Sequence, residues 1–273
     1  MSSSPKPFRI AVLLCDTPIA PILTAQGDYG EIFRALFRKS LEAIQPKSLS
    51  EFDLVFVVDA FDVRNKLEYP EDVDLYDSVL LTGSAASAYE DIPWINRLVD
   101  YTKYVAEEKP KIRLIGICFG HQVIARAMGG ECVPNGGRWE VGTTPVQLTD
   151  TGKKLFGVPE LNIQQMHRDH VPAVPASFHL LGATSITPNQ GMVKLYPGAS
   201  PESVCPADVQ VFCVQGHPEF DQFIVDEIVK VRSSTGAMSQ DVVQDVAQRR
   251  DWRNDGVGVI GRTLWEILRA SRA

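Results

Sequence analysis

Short apolar runs alternate with longer amphipathic stretches along the first half of the chain. The runs are rich in Ile, Val and Leu, which predicts buried strands. In the stretches between these runs, apolar residues recur every three or four positions, which predicts helices. Pro or paired Gly then follows and indicates where a helix ends. A segment rich in Pro, Gly and Asp follows the first run and is predicted to be a loop. The predicted strands span residues 9–14, 54–58, 78–81 and 112–117, and the predicted helices span residues 32–44, 94–108 and 121–128.

The second half of the chain has a different pattern, with shorter strands separated by turn residues. These short strands form either an antiparallel part of the sheet or the far side of the same domain. One further strand, at residues 209–214, is strongly apolar, and the chain after it is helical in pattern. The short strand candidates span residues 144–148, 161–165, 179–184 and 192–195.

No internal repeat, low-complexity tract or linker divides the chain. Strands that alternate with helices indicate β-α-β units and a largely parallel sheet, so the predicted fold class is α/β. We therefore expect one main domain over residues 9–220, a flexible N-terminus at residues 1–8 and a helical C-terminal extension at residues 221–273.

Composition limits the class of protein. The chain has 273 residues, of which 44% are hydrophobic and 22% charged, enough for a sizeable core. This composition excludes a disordered, collagenous or disulfide-stapled chain. No apolar run approaches the roughly 18 residues of a membrane helix. The early run at residues 10–15 stops at Asp16 and is too short for a signal sequence, so a cytoplasmic protein is expected.

Charge limits the expected binding partners, and cysteine content indicates the redox state of the thiols. The net charge is −7, and the densest basic patches are pairs of residues. Because phosphate contacts require clustered Lys and Arg, nucleic acid is not an expected partner. The cysteine count is odd, at 5, and no C-x-x-C pair occurs, which indicates reduced thiols.

The first strong chemical signal lies between a predicted strand and a predicted helix. There the sequence reads Gly116-Ile117-Cys118-Phe119-Gly120. Glycines on both sides of one reactive residue permit a sharp turn, as in a nucleophile elbow with Cys in place of Ser. At a helix N-terminus the dipole favours the thiolate, and the amide of Phe119 could stabilise an oxyanion. The alternative is a buried cysteine in a tight turn.

The second signal follows the strand at residues 209–214. His217 and Glu219 lie two positions apart, and Pro218 between them restricts the backbone. A cysteine nucleophile needs a base, and that base needs a group to hold its tautomer. Glu219 could accept a hydrogen bond from one ring nitrogen of His217 while the other nitrogen faces Cys118. The alternative is a structural histidine.

Together, the two motifs resemble the signatures of class I glutamine amidotransferases and of the free-standing γ-glutamyl peptidases in that superfamily. The resemblance spans roughly residues 9–220, which would be the catalytic domain. It implies a flavodoxin-like three-layer sandwich and a Cys118-His217-Glu219 triad. In that triad Cys118 attacks a γ-glutamyl carbonyl to form a thioester. His217 would be general base and then general acid, and Glu219 would orient it.

The resemblance also implies an oxyanion hole. Residues 81–85 match the end of the family's oxyanion strand, although Ser84 and Ala85 replace the usual Gly-Pro pair. Since a backbone N–H is the group that matters, Gly83, Ser84 and Phe119 are the candidate oxyanion residues.

Three further positions match substrate contacts of the family. Gln122 occupies the position that contacts the bound glutamyl group, and its alternative role is to cap a loop. His167 and Asp169 fall in a stretch that resembles the family's Ser-His-Gly-Asp, from which Met166 and Arg168 depart. Gln122, His167 and Asp169 are therefore the predicted substrate-binding residues.

No cofactor or metal is expected. His167 and His170 stand three apart, but two histidines without a third ligand at a recognisable spacing are weak evidence for a metal site. His121 lies on the elbow helix, where its side chain would point away from the thiol. No Walker-type phosphate loop is present either.

The expected function is that of a stand-alone cysteine hydrolase acting on a small γ-glutamyl peptide or conjugate. One alternative is a glutaminase subunit that supplies ammonia to a separate synthase partner. Another is an α/β-hydrolase whose triad is Cys118, Asp169 and His217, and a third is a non-catalytic relative. The leaving group stays open, and the candidates for lining its pocket are Tyr89, Arg138, Trp139, Arg168 and His170.

Overall fold

A computed structural model describes residues 6–44 and 56–272. Most of the predicted N-terminal segment, residues 1–5, and the start of the predicted second strand, residues 54–55, lie outside this part. The strands are β1 (Phe8–Leu14), β2 (Phe56–Asp62), β3 (Ser78–Leu81), β4 (Arg113–Ile117), β5 (Val133–Pro134), β6 (Glu140–Leu148), β7 (Glu160–His167), β8 (Asp169–His170), β9 (His179–Ala183), β10 (Gly191–Leu195) and β11 (Val209–Val214). The α-helices are α1 (Ala20–Gln26), α2 (Tyr29–Ile44), α3 (Pro93–Glu108), α4 (Phe119–Ala127), α5 (Asp150–Phe156), α6 (Gln222–Ser234), α7 (Gln240–Gln248) and α8 (Arg262–Ala270).

The central sheet has nine strands in the order β2-β1-β3-β4-β11-β10-β9-β6-β7. Neighbouring strands from β2 to β11 pair in parallel, and those from β11 to β7 pair antiparallel. The large, mostly parallel sheet confirms the predicted α/β class. The short strands of the second half form the antiparallel part, which was one of the two predicted arrangements.

Helices cover both faces of the sheet and make three layers. Strand β4 shows why, since Ile115 and Ile117 belong to the core on one face and Leu114 to the core on the other. A strand buried on both faces is a continuous apolar run, as a parallel sheet between helices requires. Helices α2 and α8 pack on the first face, and α3 and α4 pack on the second.

The C-terminal helix packs into the same core as the sheet. Trp265 on α8 is completely buried, and its indole N–H donates to the carbonyl of Phe37 at 2.9 Å. The rings of Phe8, Phe37 and Phe56 surround it at centroid distances of 6.0, 5.6 and 5.4 Å. Burial of so large an aromatic side chain fixes α8 against the sheet.

Two helices were not predicted. The segment predicted as a loop after β1 contains α1, and the prediction of a continuous loop there was wrong. Pro21 signalled a loop, but it lies in the first turn of α1, where a missing N–H costs no hydrogen bond. The other is α5, which begins where the Thr149 hydroxyl accepts from the Gly152 N–H at 3.1 Å.

The parallel half of the sheet gathers the candidate residues at one edge. Asp16, Gly83, Cys118 and Gln215 each follow closely after the carboxyl end of a strand, namely β1, β3, β4 and β11. Ligands of open α/β sheets bind at this edge. No helix among residues 6–44 and 56–272 is long and apolar enough to cross a membrane.

Candidate active site

Cys118 occupies a strained turn between β4 and α4. Its φ is 52° and its ψ is −103°, a conformation that a residue with a side chain rarely adopts. Such backbone conformations cost about 1–3 kcal/mol and persist only where the surroundings enforce them. Here the Cys118 N–H donates to the carbonyl of Val214 on the neighbouring strand β11 at 2.9 Å. The strain places the thiol at the N-terminus of α4.

Steric contact explains the glycines on either side of Cys118. A Cβ atom at Gly116 would lie 2.8 Å from the carbonyl oxygen of Gly120. A Cβ atom at Gly120 would overlap the backbone carbonyl of Leu81 at the end of β3. The elbow therefore depends on two positions where only hydrogen fits, and this confirms the sharp strand-turn-helix predicted from the sequence.

His217 and Glu219 form a buried pair. The His217 Nδ1 lies 2.8 Å from Glu219 Oε1, and the Glu219 side chain is 0% exposed. On its face, the imidazole stacks on the ring of Phe220 with a centroid distance of 3.9 Å. The backbone N–H of His217 donates to the carbonyl of Gln164 on β7 at 2.8 Å. Three contacts therefore fix the position of the ring.

The Cys118 thiol and the His217 ring meet beside Gly83. A Cβ atom at Gly83 would lie 2.7 Å from His217 Cε1 and 3.7 Å from Cys118 Cβ. Burial lowers the pKa of the His217 imidazole, but the neighbouring Cys118 thiol and the Glu219 carboxylate raise it by more, to about 10. The imidazole is thus placed to hold a proton between a thiol and a carboxylate.

His121, the other histidine near the thiol, has a different environment. It is completely buried, and neither ring nitrogen has a hydrogen-bond partner in the part of the chain described. Burial, together with the nearby His167, lowers its pKa to about 3. His121 is therefore neutral at neutral pH, in contrast to His217.

Two backbone N–H groups flank the thiol. Within the described ranges, neither the Ser84 N–H nor the Phe119 N–H donates a hydrogen bond to the protein. Ser84 follows Gly83, whose lack of a side chain admits the His217 ring, and Phe119 is the first residue of α4. Gly83 therefore lies beside Cys118, Ser84 lines the same cleft as Cys118, and the Ser84 and Phe119 N–H groups are available as donors.

Asp16 was not predicted from the sequence. Its carboxylate holds the loop that carries Ser84 in place through hydrogen bonds. Its Oδ2 accepts from the Ala85 N–H at 2.6 Å and from the Ser84 hydroxyl at 3.4 Å, and the carboxylate also pairs with Arg64. The available signal was its position directly after β1, since residues at the carboxyl ends of parallel strands commonly line a site.

A chain of amides lies behind the thiol. The Gln122 Nε2 donates to the Asp169 carbonyl at 3.0 Å and to the Gln215 Oε1 at 3.1 Å. In turn, the Gln215 Nε2 lies 3.5 Å from Cys118 Sγ. Gln215 was also missed, although it directly precedes the Gly216-His217 motif. These contacts connect the predicted substrate residue Gln122 to the thiol.

His167 and Asp169 are held by protein groups. The His167 Nδ1 lies 3.0 Å from the Asp169 carbonyl oxygen, and Nε2 lies 3.3 Å from the buried carboxylate of Glu140. Burial raises the pKa of the Glu140 carboxyl, but the interactions with His167 and the hydrogen bonds to Thr184 and Thr187 together outweigh this effect and lower it. The Asp169 Oδ2 accepts from the Ser87 hydroxyl at 2.7 Å. Asp169 thus has a partner other than His217.

Two cavities adjoin the site. A cleft of about 50 Å³ opens on the Cys118 side and includes Gln122, His167 and Asp169 in its lining. A larger cavity of about 260 Å³ opens on the His217 side. Among the predicted pocket-lining candidates, Trp139 and Arg168 line the cleft, whereas Tyr89, Arg138 and His170 line neither space.

Tyr29 and Arg232 also line the larger cavity and were missed by sequence reasoning. Tyr29 begins α2 and Arg232 lies near the end of α6. Neither belongs to a motif, and only the packing of the helices brings them to the cavity beside His217. Within the described residues, no group of three or more His, Cys, Asp or Glu side chains could hold a metal ion.

Residues 39–223 match the family model described as glutamine amidotransferase class-I. This chain belongs to that family. The match includes Gly83, Cys118, His217 and Glu219 and confirms the resemblance found in the two motifs.

Relatives of the amidotransferase chain agree with this assignment. A glutamine amidotransferase-like protein of Schizosaccharomyces pombe is 36% identical over 247 residues, which cover 89% of this chain and 92% of that protein. Gamma-glutamyl peptidase 3 of Arabidopsis thaliana is 28% identical over 233 residues, which cover 82% of this chain and 81% of that protein. The crystal structure of a glutamine amidotransferase from Thermotoga maritima superimposes with a TM-score of 0.67 at 17% identity, covering 96% of this chain and 98% of that one. The last similarity confirms the flavodoxin-like fold.

Proposed function

We propose that this protein is a stand-alone cysteine hydrolase that cleaves the γ-glutamyl amide bond of a γ-glutamyl peptide or conjugate. The observation that carries the proposal is the position of His217, whose ring lies between Glu219 and the Cys118 thiol with a raised pKa. An imidazolium beside a thiol favours the nucleophilic thiolate and is ready to protonate a leaving amine.

The first half-reaction forms a thioester. The Cys118 thiolate attacks the γ-carbonyl carbon, and the carbonyl oxygen becomes an oxyanion that accepts hydrogen bonds from the Ser84 and Phe119 N–H groups. When the C–N bond breaks, its electron pair stays on nitrogen, and His217 supplies the proton that makes the departing amine neutral. Glu219 keeps the imidazole in the tautomer and orientation that this transfer needs.

The second half-reaction releases glutamate. Water attacks the thioester carbonyl while His217, now neutral, accepts one of its protons. The C–S bond then breaks, and the thiolate and imidazolium are restored. Gln122, His167 and Asp169 would bind or shape the site for the glutamyl group, because they line the cleft on the Cys118 side.

Two features favour this triad over the α/β-hydrolase alternative. The carboxylate that contacts His217 belongs to Glu219, whereas the Asp169 carboxylate contacts Ser87. Membership in the amidotransferase family also supports Glu219 as the third member.

The test is release of glutamate by the purified chain. Free glutamine and a panel of γ-glutamyl peptides are offered as substrates, with Cys118→Ala as the control. We expect Cys118-dependent turnover of peptides and poor use of glutamine. Turnover of glutamine alone would instead indicate an ammonia donor for a separate synthase, and no turnover of any substrate would overturn the proposal.

A further inference from the structure

The two cavities adjoin each other at the proposed triad. Each is lined by one of the two side chains that would react. Cys118 lines only the cleft, and His217 lines only the larger cavity. The residues that line both spaces are Ser84, Ala85, Met166 and Arg232. Because His217 would protonate the departing nitrogen, the leaving group lies on the His217 side, and the glutamyl group lies on the Cys118 side.

The size and walls of the larger cavity are those of a binding site for an organic group. Its volume of about 260 Å³ far exceeds the roughly 30 Å³ that a water-sized molecule such as ammonia occupies in a liquid. Walls of this kind bind apolar groups through burial of surface. The lining includes the large apolar side chains of Ile19, Ile22, Met166, Phe220, Ile228 and Val231.

Among the described residues that line this cavity, Arg232 is a cation without an ion-pair partner. Asp16 and Arg64 pair with each other, so their charges largely cancel. Arg232 forms no ion pair with any residue in the described ranges, and its guanidinium lies over the ring of Trp139 at 5.8 Å. On the same ring, the Arg168 guanidinium lies at 5.7 Å, but Arg168 lines only the cleft. A guanidinium is well suited to bind a carboxylate with two hydrogen bonds.

We propose that the larger cavity is the leaving-group subsite and that Arg232 binds a carboxylate on the leaving group. The preferred leaving group is then an amino acid or short peptide with an apolar side chain, rather than ammonia or a neutral amine. This inference rests on the proposed γ-glutamyl hydrolase activity.

A matched pair of substrates tests the role of Arg232. γ-Glutamyl-leucine carries a leaving-group carboxylate, and γ-glutamyl-leucinamide has an uncharged amide in its place. We expect the wild-type kcat/KM to be about tenfold higher for the acid or more, the range for a hydrogen bond to a charged group. Arg232→Gln should lose about tenfold on the acid and at most about threefold on the amide.

Arg168→Gln is the matched control, since it removes the other guanidinium from the same tryptophan. Arg168 lies on the glutamyl side, so this variant should lower kcat/KM equally for the two substrates. An equal loss on both substrates in Arg232→Gln would overturn the inference, as would equal wild-type use of acid and amide.

A second variant tests the cavity without touching charge. Ile228→Trp would fill the space beside Phe220, and we expect it to raise the KM for γ-glutamyl-leucine about tenfold while changing glutamine hydrolysis much less. Equal effects on both substrates would contradict a leaving-group subsite. If the wild-type chain released glutamate from none of the substrates, the proposed function itself would fall, an outcome distinct from turnover without discrimination.

Discussion

The Cys118 side of the site is built from a short stretch of chain, whereas the His217 side is assembled from segments far apart in sequence. The elbow is formed by residues 116–120 against the end of β3, with one further hydrogen bond from the Cys118 N–H to Val214 on β11. His217 depends on Gln164 from β7, and the loop that follows it depends on the C-terminal segment. There the Asn254 side-chain amide donates to the Phe220 carbonyl at 3.2 Å, and Gly256 packs so closely on Pro218 that no Cβ atom would fit.

The two sides of the site therefore depend on different parts of the fold. The position of Cys118 follows mainly from local backbone geometry. The position of His217 and the shape of the cavity beside it follow from how α1, α2, α6 and the C-terminal segment pack. Substitutions far from the chemistry should therefore affect the His217 side more than the Cys118 side.

The largest expected effect on the His217 side comes from Glu219→Gln. The amide can donate to His217 Nδ1 and so favours the wrong tautomer, and it removes a charge that raises the pKa of His217. We expect kcat for the preferred γ-glutamyl substrate to fall about 10²- to 10⁴-fold with little change in unfolding free energy. Steady-state kinetics and chemical denaturation measure the two quantities.

Asp169→Asn is the matched control for the carboxylate. It removes the charge that accepts from Ser87, and we expect a smaller loss of kcat than in Glu219→Gln. A larger loss in Asp169→Asn would transfer the role of third triad member to Asp169.

On the Cys118 side, Gly120→Ala should have the largest effect on stability. The added methyl would overlap the Leu81 carbonyl, a backbone atom that cannot turn away. We expect a loss of about 3 kcal/mol in the free energy of unfolding, or failure to fold. Gly258→Ala is the control, because a Cβ atom there would meet nothing within 4 Å. Equal stability of the two variants would show that the elbow tolerates a wider turn.

The sequence predicts the Cys118 side of the site better than the His217 side. Strands β3 and β11 are buried on both faces and so are strongly apolar, with Ser78 and Gln210 as their polar residues and Ser78–Leu81 and Val209–Val214 as their limits. The elbow was recognisable because its glycines are required locally. Asp16 and Arg232 were not, since one is a single residue after a strand and the other is an arginine on a helix near the end of the chain. Only tertiary packing brings each to the cavity beside His217.

The titration of His217 tests whether its imidazole interacts directly with the Cys118 thiol. The Cys118 thiol is a larger contributor to the raised pKa of His217 than Glu219 is, and burial acts against both. In Cys118→Ala the contribution of the thiol is lost while burial and Glu219 remain, so we expect the pKa of His217 to fall below about 10. NMR titration of labelled imidazoles measures this shift, with His217→Gln to assign the signal.

Cys213→Ala serves as the comparison in that titration. Cys213 is also buried, but it is not among the groups that raise the pKa of His217. The His217 signal should titrate there as in the wild type. An unchanged pKa in Cys118→Ala would contradict a direct interaction between thiol and imidazole.

The smallest effect, and the one most specific to the His217 side, is expected from Asn254→Ala. This variant removes the hydrogen bond to the Phe220 carbonyl and the acceptor of the Gly256 N–H at 3.0 Å. The loss should be about 1 kcal/mol in unfolding free energy. Because Phe220 stacks on the His217 ring, kcat should also fall about threefold while alkylation of Cys118 by iodoacetamide stays close to the wild-type rate. Asn96→Ala, which removes an exposed hydrogen bond to Asp91 at the start of α3, should leave kcat unchanged. If Asn254→Ala lost stability but kept the wild-type kcat, the C-terminal segment would support the fold without positioning the base.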